Sequence, residues 1–330
     1  MPTWGEILRK IEEEFQKLTK LPPEERIKQP HPCDAVRRKY LVKLYQKTGR
    51  NVILYATKWS QPSPYPIPPG FVQIHEEDVH GFMEVIHGLE EGELDLILHN
   101  PGGDPGATEA LISYLRKKFE NIRVIIPQAA MSAATMLACA ANKIVMGKHS
   151  SLGPIDPQLI LQTSLGWRSV PAEAILEQFR LAQDECLKEP GKTRSWLPIL
   201  QQYGPALLIE AKNAIDLSQE LVHKWLREYM FKGDKNAEEK AKEIANFLSN
   251  YQYFKSHSRH INVDQAKELG LYIEELEKDQ EFQDLVLSVF HATMLTFDRT
   301  PSVKIIENHQ GRAFIKRYSP TPLPLSLIHI

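Results

Sequence analysis

Between Asn51 and Met146 the chain alternates short apolar runs with stretches of helical period, and this alternation limits the fold more than any other feature. Asn51-Val-Ile-Leu-Tyr-Ala56, Leu94-Asp-Leu-Ile-Leu-His99, Ile122-Arg-Val-Ile-Ile126 and Lys143-Ile-Val-Met146 read as strands. Residues 79–89, 105–119 and 131–141 lie between them with helical spacing. Strands separated by helices of this length argue for βαβ units and a largely parallel sheet. Right-handed crossovers then gather the loops that leave the strand ends on one side of that sheet.

The flanks are mostly helical. Trp4, Ile7, Leu8, Ile11, Phe15 and Leu18 recur at helical spacing, Pro22-Pro23 stops that helix, and a second is expected over 34–46 with Gly49 as its stop. Further helices are expected over 171–187, 205–231, 263–269 and 281–297, with a charged, solvated stretch at 232–243. Val303 to Tyr318 reads as a hairpin turning at His309-Gln-Gly311, and the tail Ser319 to Ile330 as disordered. The organisation read from this is a helical arm over 1–48, a main domain over 49–275, and a C-terminal helix, hairpin and tail over 276–330.

Composition removes several classes of function. A formal net charge of -2 supplies no electrostatic pull toward nucleic acid. No run approaches the roughly 18 apolar residues of a membrane span. The amphipathic N-terminus lacks the apolar core of a secretory signal. Cys33, Cys139 and Cys186 are scattered and read as reduced thiols, so a cytoplasmic protein is expected. Neither HExxH nor GxxxxGK[ST] occurs, and no metal or cofactor is expected.

Two loops carry chemistry. His99-Asn-Pro-Gly-Gly-Asp-Pro-Gly106 leaves a strand and opens a helix. Its paired glycines allow backbone N–H groups to converge on one point, as an oxyanion hole requires; read alone, the loop is also an ordinary Gly-Pro turn. Gln128-Ala-Ala-Met-Ser-Ala-Ala-Thr-Met136 also joins a strand to a helix. Ser132 there can be a plain N-cap. It can also be a nucleophile at a helix start, with the N–H of Ala133 left free by the helix. The two loops end neighbouring strands, with Gly103 and Ser132 29 residues apart.

This order of strand, Pro-Gly-Gly loop, helix, strand, serine and helix resembles the crotonase/Clp arrangement. The chain is similar to the serine dehydrogenase proteinase family, near signal peptide peptidase A and the Clp proteolytic subunit. The matching pieces are Thr48-Gly-Arg-Asn51, the glycine loop, the Ser132 segment, Gly147-Lys-His-Ser-Ser-Leu-Gly-Pro-Ile-Asp-Pro-Gln158 and His260-Ile-Asn-Val-Asp-Gln-Ala-Lys-Glu-Leu-Gly-Leu271. The resemblance implies a Clp/crotonase-like α/β fold of ββα units. It implies a serine peptidase with Ser132 as nucleophile and Gly102, Gly103 and Ala133 as oxyanion donors.

It also implies a base. The Clp subunit's histidine has no counterpart here, since Asp156 stands near its place. Signal peptide peptidases use a lysine before a long helix, which points to Lys192 or Lys188, with Lys212 and His149 as further candidates. The partners implied are a peptide or protein substrate and other copies of the chain, and peripheral contact with the inner face of a membrane stays open. Two other readings use the same fold: an acyl-CoA enzyme of the crotonase type, with Glu109 as its carboxylate, and a non-catalytic oligomeric scaffold.

Overall fold

The structure is a computed structural model, and it describes residues 2–163 and 166–320. The strands in chain order are β1 (Asn51–Thr57), β2 (Gly92–His99), β3 (Phe119–Ile126), β4 (Ala129–Ala130), β5 (Lys143–Met146), β6 (Ser151–Leu152), β7 (Gln158–Thr163), β8 (Gly166–Pro171), β9 (Ile273–Glu275), β10 (Ser302–Asn308) and β11 (Ala313–Arg317). Among the described residues, a seven-stranded sheet runs β11-β10-β1-β2-β3-β5-β9. Its members from β1 to β9 pair in parallel. The β10–β11 hairpin adds antiparallel to the free edge of β1.

The sheet is mixed α/β with both faces covered, and this explains the nearly continuous apolar strands. Successive residues of β1 point to opposite sides. Ile53 and Tyr55 enter a core with Phe82, Leu111 and Leu137. Val52, Leu54 and Ala56 enter a second core with Leu41, Leu44 and Val286. The helices Asp78–Ile86, Pro105–Lys118, Ala133–Cys139, Leu207–Trp225 and Ala237–Leu248 supply the first core. Trp4–Thr19, Pro32–Thr48 and Gln280–Arg299 supply the second. The N-terminal helices therefore share a core with the sheet and with the helix Gln280–Arg299.

Three segments differ from the sequence expectation. The charged stretch at 232–243 is not a solvated loop throughout, because the helix Ala237–Leu248 begins within it and buries Ala241, Ile244, Ala245 and Leu248. Its apolar stripe is partly alanine, which weakens the periodic signal. The β7–β8 hairpin and the three-residue edge strand β9 had no counterpart in the sequence reading. Of the tail expected to be disordered, residues 321–330 lie outside the described residues.

Candidate active site

The glycine loop and the serine loop are joined backbone to backbone. Asn100 donates its N–H to Ala129 O at 3.3 Å, and Met131 donates to Asn100 O at 3.0 Å. This single parallel bridge brings Gly102 against Ser132. Gly102 has φ +97°, and a Cβ built there would lie 2.6 Å from Met131 O, 2.7 Å from Ser132 Cβ and 2.8 Å from Ala133 N. Only glycine permits both the conformation and the approach. Asp104 then caps the following helix, its Oδ1 accepting from Ala107 N at 2.7 Å.

Ser132 occupies the N-cap position of the helix Ala133–Cys139, yet its side chain caps nothing. Its backbone sits at φ 51°, ψ -123°, a region that non-glycine residues avoid. Such a conformation costs roughly 1–3 kcal/mol and persists only where the surroundings enforce it. Among the described residues its Oγ has no hydrogen-bond partner, and the residue is half-buried. A capping role would have used the hydroxyl, which here is left free beside a strained backbone.

The elbow is pinned from below. Thr135 Oγ1 donates to Ala130 O at 2.8 Å and accepts from Gly153 N at 3.0 Å. The β4–β6 pairing sets Ala130 beside Leu152. Gly153 comes so near Met131 that a Cβ would meet its Cε at 2.5 Å.

Two backbone donors of these loops are unspent. Neither Gly103 nor Ala133 donates its N–H to any acceptor among the described residues. Gly102 N–H donates to Asn100 Oδ1 at 2.8 Å, so in this structure it is already engaged. A strained serine with a free hydroxyl, followed by an unpaired N–H at Ala133 and joined to a glycine loop with another at Gly103, is an arrangement that can support acyl transfer.

Comparison with known proteins identifies the family. Residues 23–306 match the family of ClpP-like SDH-type serine proteinases. This chain belongs to that family. It is 32% identical over 207 residues to the uncharacterized protein MJ0137 of Methanocaldococcus jannaschii, covering 62% of each chain. It is 31% identical over 185 residues to the uncharacterized protein MJ1495 of the same organism, covering 56% of this chain and 53% of that one. The matched stretches thus span less than two thirds of either relative. Among solved structures, a mutant of the 1510-N membrane-bound stomatin-specific protease aligns with TM-score 0.36 and 14% identity, over 64% of this chain and 79% of that one. So weak a likeness carries no weight here.

Ser132 as a nucleophile would require a base, and the sequence offers four candidates for that role. Lys188 ends the helix Ala172–Lys188, exposed. Lys192 follows in a short turn, with Nζ 3.8 Å from Glu185 and 3.5 Å from Glu189. Its side chain is 41% exposed rather than drawn inward, because those two carboxylates hold it at the surface. Lys212 and His149 are exposed. None of them makes a hydrogen bond to Ser132.

Two arrangements, each built on a buried charged residue, went unseen in the sequence. His257 Nδ1 lies 2.8 Å from Oδ1 of Asp156, whose Oδ2 accepts from Gln158 Nε2 at 2.8 Å. Asp156 is buried, and the two partners are 101 residues apart. Lys304, in β10, is the buried lysine among the described residues. Burial lowers its pKa, although Asp78 beside it acts in the opposite direction. A lysine inside the apolar run Val303 to Ile306 was the available signal.

Among the described residues no cluster of His, Cys, Asp and Glu could hold a metal, and no helix is long and apolar enough to cross a membrane.

Proposed function

We propose that this chain hydrolyses peptide bonds through an acyl-enzyme on Ser132. Ser132 Oγ attacks the scissile carbonyl, and the proton passes to a base. The N–H groups of Gly103 and Ala133 receive the developing oxyanion, joined by Gly102 if its amide leaves Asn100 Oδ1. The base returns the proton to the leaving amine, and water then releases the acyl group. The strained Ser132 with its unused hydroxyl carries this reading. Glu109, which the acyl-CoA alternative needs, is only half-buried, and that reading leaves the strain at Ser132 without a purpose. Ser132→Ala is expected to abolish both hydrolysis of a fluorogenic peptide and labelling by a fluorophosphonate. Undiminished labelling of the variant refutes the assignment, and a wild type that neither labels nor hydrolyses supports the scaffold instead.

For the base, Lys192 comes first and Lys188 second. A neutral lysine needs a desolvated setting. Five residues to either side of Lys192 in the chain, Leu187 and Leu197 are exposed. Contact with a second copy over that surface would cover Lys192 and desolvate it. A second reading rests on the Asp156–His257 pair. With Nδ1 held by the carboxylate, Nε2 of His257 is left to take a proton, the division of labour in a serine triad. Lys192→Met and His257→Gln separate the two, since only the true base's removal lowers kcat by about a hundredfold or more.

A further inference from the structure

A buried ion pair lies beside the segment that pairs with the glycine loop. Lys304 Nζ bonds Asp78 Oδ1 at 2.5 Å, and both side chains are almost wholly buried. An ion pair in such a place gains little net stability, because desolvation offsets most of the attraction. An apolar pair of similar volume would serve the core as well. What an apolar pair could not supply is the remaining hydrogen bonds. Lys304 Nζ also donates to Gln73 O at 2.8 Å. Asp78 Oδ2 accepts from His75 N at 3.0 Å and from the Tyr55 hydroxyl at 2.5 Å.

These contacts clamp the residues on either side of Ile74, and Ile74 in turn holds the loop. Ile74 N–H donates to Gly102 O at 2.8 Å, and Asp104 N–H donates to Ile74 O at 3.0 Å. In a parallel bridge of this kind, the residue between the two bonded positions turns its own N–H to the opposite side. That residue is Gly103, so the bridge aims its amide away from Ile74. The approach is close: a Cβ on Gly103 would lie 2.3 Å from Ile74 O. The segment 73–75 follows a proline-rich loop and the four-residue helix Pro69–Val72, which offer little rigidity of their own.

We propose that Asp78 and Lys304 are positioning residues for the oxyanion loop, acting through Gln73, Ile74 and His75 to set the direction of the Gly103 amide. The proposal rests on the reading of Ser132 as nucleophile. It touches neither the base nor the nucleophile.

The test uses the full chain as wild type, Ser132→Ala, the apolar pair Asp78→Leu/Lys304→Met, and Tyr55→Phe. Melting, kcat and KM on a fluorogenic peptide, and affinity for a peptide boronate are measured. The boronate adduct is tetrahedral and draws on the same donors as the transition state. In the folded apolar-pair variant, kcat is expected to fall by about tenfold to a hundredfold with KM within about threefold, and boronate affinity to fall in step with kcat. A wild-type kcat in that folded variant overturns the proposal. Should the variant not fold, Tyr55→Phe decides, with an expected fall of about fivefold in kcat and in boronate affinity together; an unchanged kcat overturns it. Amide hydrogen exchange at Ile74 and Asp104 is followed in parallel and must quicken in the variants. Exchange needs no turnover, so a wild type that does not hydrolyse peptides refutes the reading of Ser132 and still leaves exchange to decide the clamp.

Discussion

Gly102→Ala probes the closest contact in the site. The new Cβ would meet Met131 O at 2.6 Å, Ser132 Cβ at 2.7 Å and Ala133 N at 2.8 Å. Ordinary contacts of a Cβ are 3.4 Å or more, so each neighbour must retreat by more than half an ångström. Two of the three are backbone atoms of the serine elbow, which Thr135 and the bridge to Asn100 hold in place. The glycine loop is therefore what moves. A left-handed conformation at alanine adds about 1–2 kcal/mol, and the overlap adds about 1–3 kcal/mol. The functional effect is expected to be larger than the loss of stability implies. Displacing one oxyanion donor costs about a hundredfold to a thousandfold in kcat. Thermal melting, active-site labelling and kcat on a fluorogenic peptide, measured below the melting range, separate the two effects. A folded Gly102→Ala protein with kcat within threefold of wild type would refute the placement of this loop at the reacting carbonyl.

Two further outcomes follow from the same geometry. Ser132→Gly relieves the backbone strain, so it is expected to stabilise the fold by about 1 kcal/mol while abolishing hydrolysis; chemical denaturation reads the first effect, and a destabilised variant contradicts the strain at Ser132. His99 is fully buried against Trp59 and Phe290, and burial takes its pKa down to about 3. The folded protein keeps it neutral while the unfolded chain protonates it near 6.5, so stability is lost as pH falls from about 7 to 5. The loss by pH 5 is about 2 kcal/mol. In urea titrations at both pH values, His99→Gln should remove that part of the acid sensitivity, and an equal pH dependence in the two proteins counts against it.

The parts of the fold legible in the sequence were those with a local signal. The strands β1, β2, β3 and β5 were readable because two-sided burial leaves few polar interruptions in their central runs, and two of these, Asp95 and Arg123, pair with each other at 2.7 Å. The β10–β11 hairpin was readable from its turn. The helix Ala237–Leu248 was hidden by charge and by alanines, and β9 is too short to carry a pattern. In the site, Ser132 and Gly102-Gly103 stood out because glycine pairs and a serine between small residues are locally unusual. Asp156 with His257, and Asp78 with Lys304, had no such mark, since each pair joins residues more than 100 positions apart.

The sequence by itself determined that strands and helices alternate, that the chain builds a parallel sheet, and that two loops rich in small residues leave adjacent strands. Each is a consequence of local periodicity and of glycine's backbone freedom, which act over a few residues. Tertiary structure alone decided that Gly102 lies against Ser132, that Ile74 supports the glycine loop from behind, and that Lys192 stands at the surface between two carboxylates. These depend on which strand ends are neighbours and on what desolvates each charge, and both are properties of the packed chain.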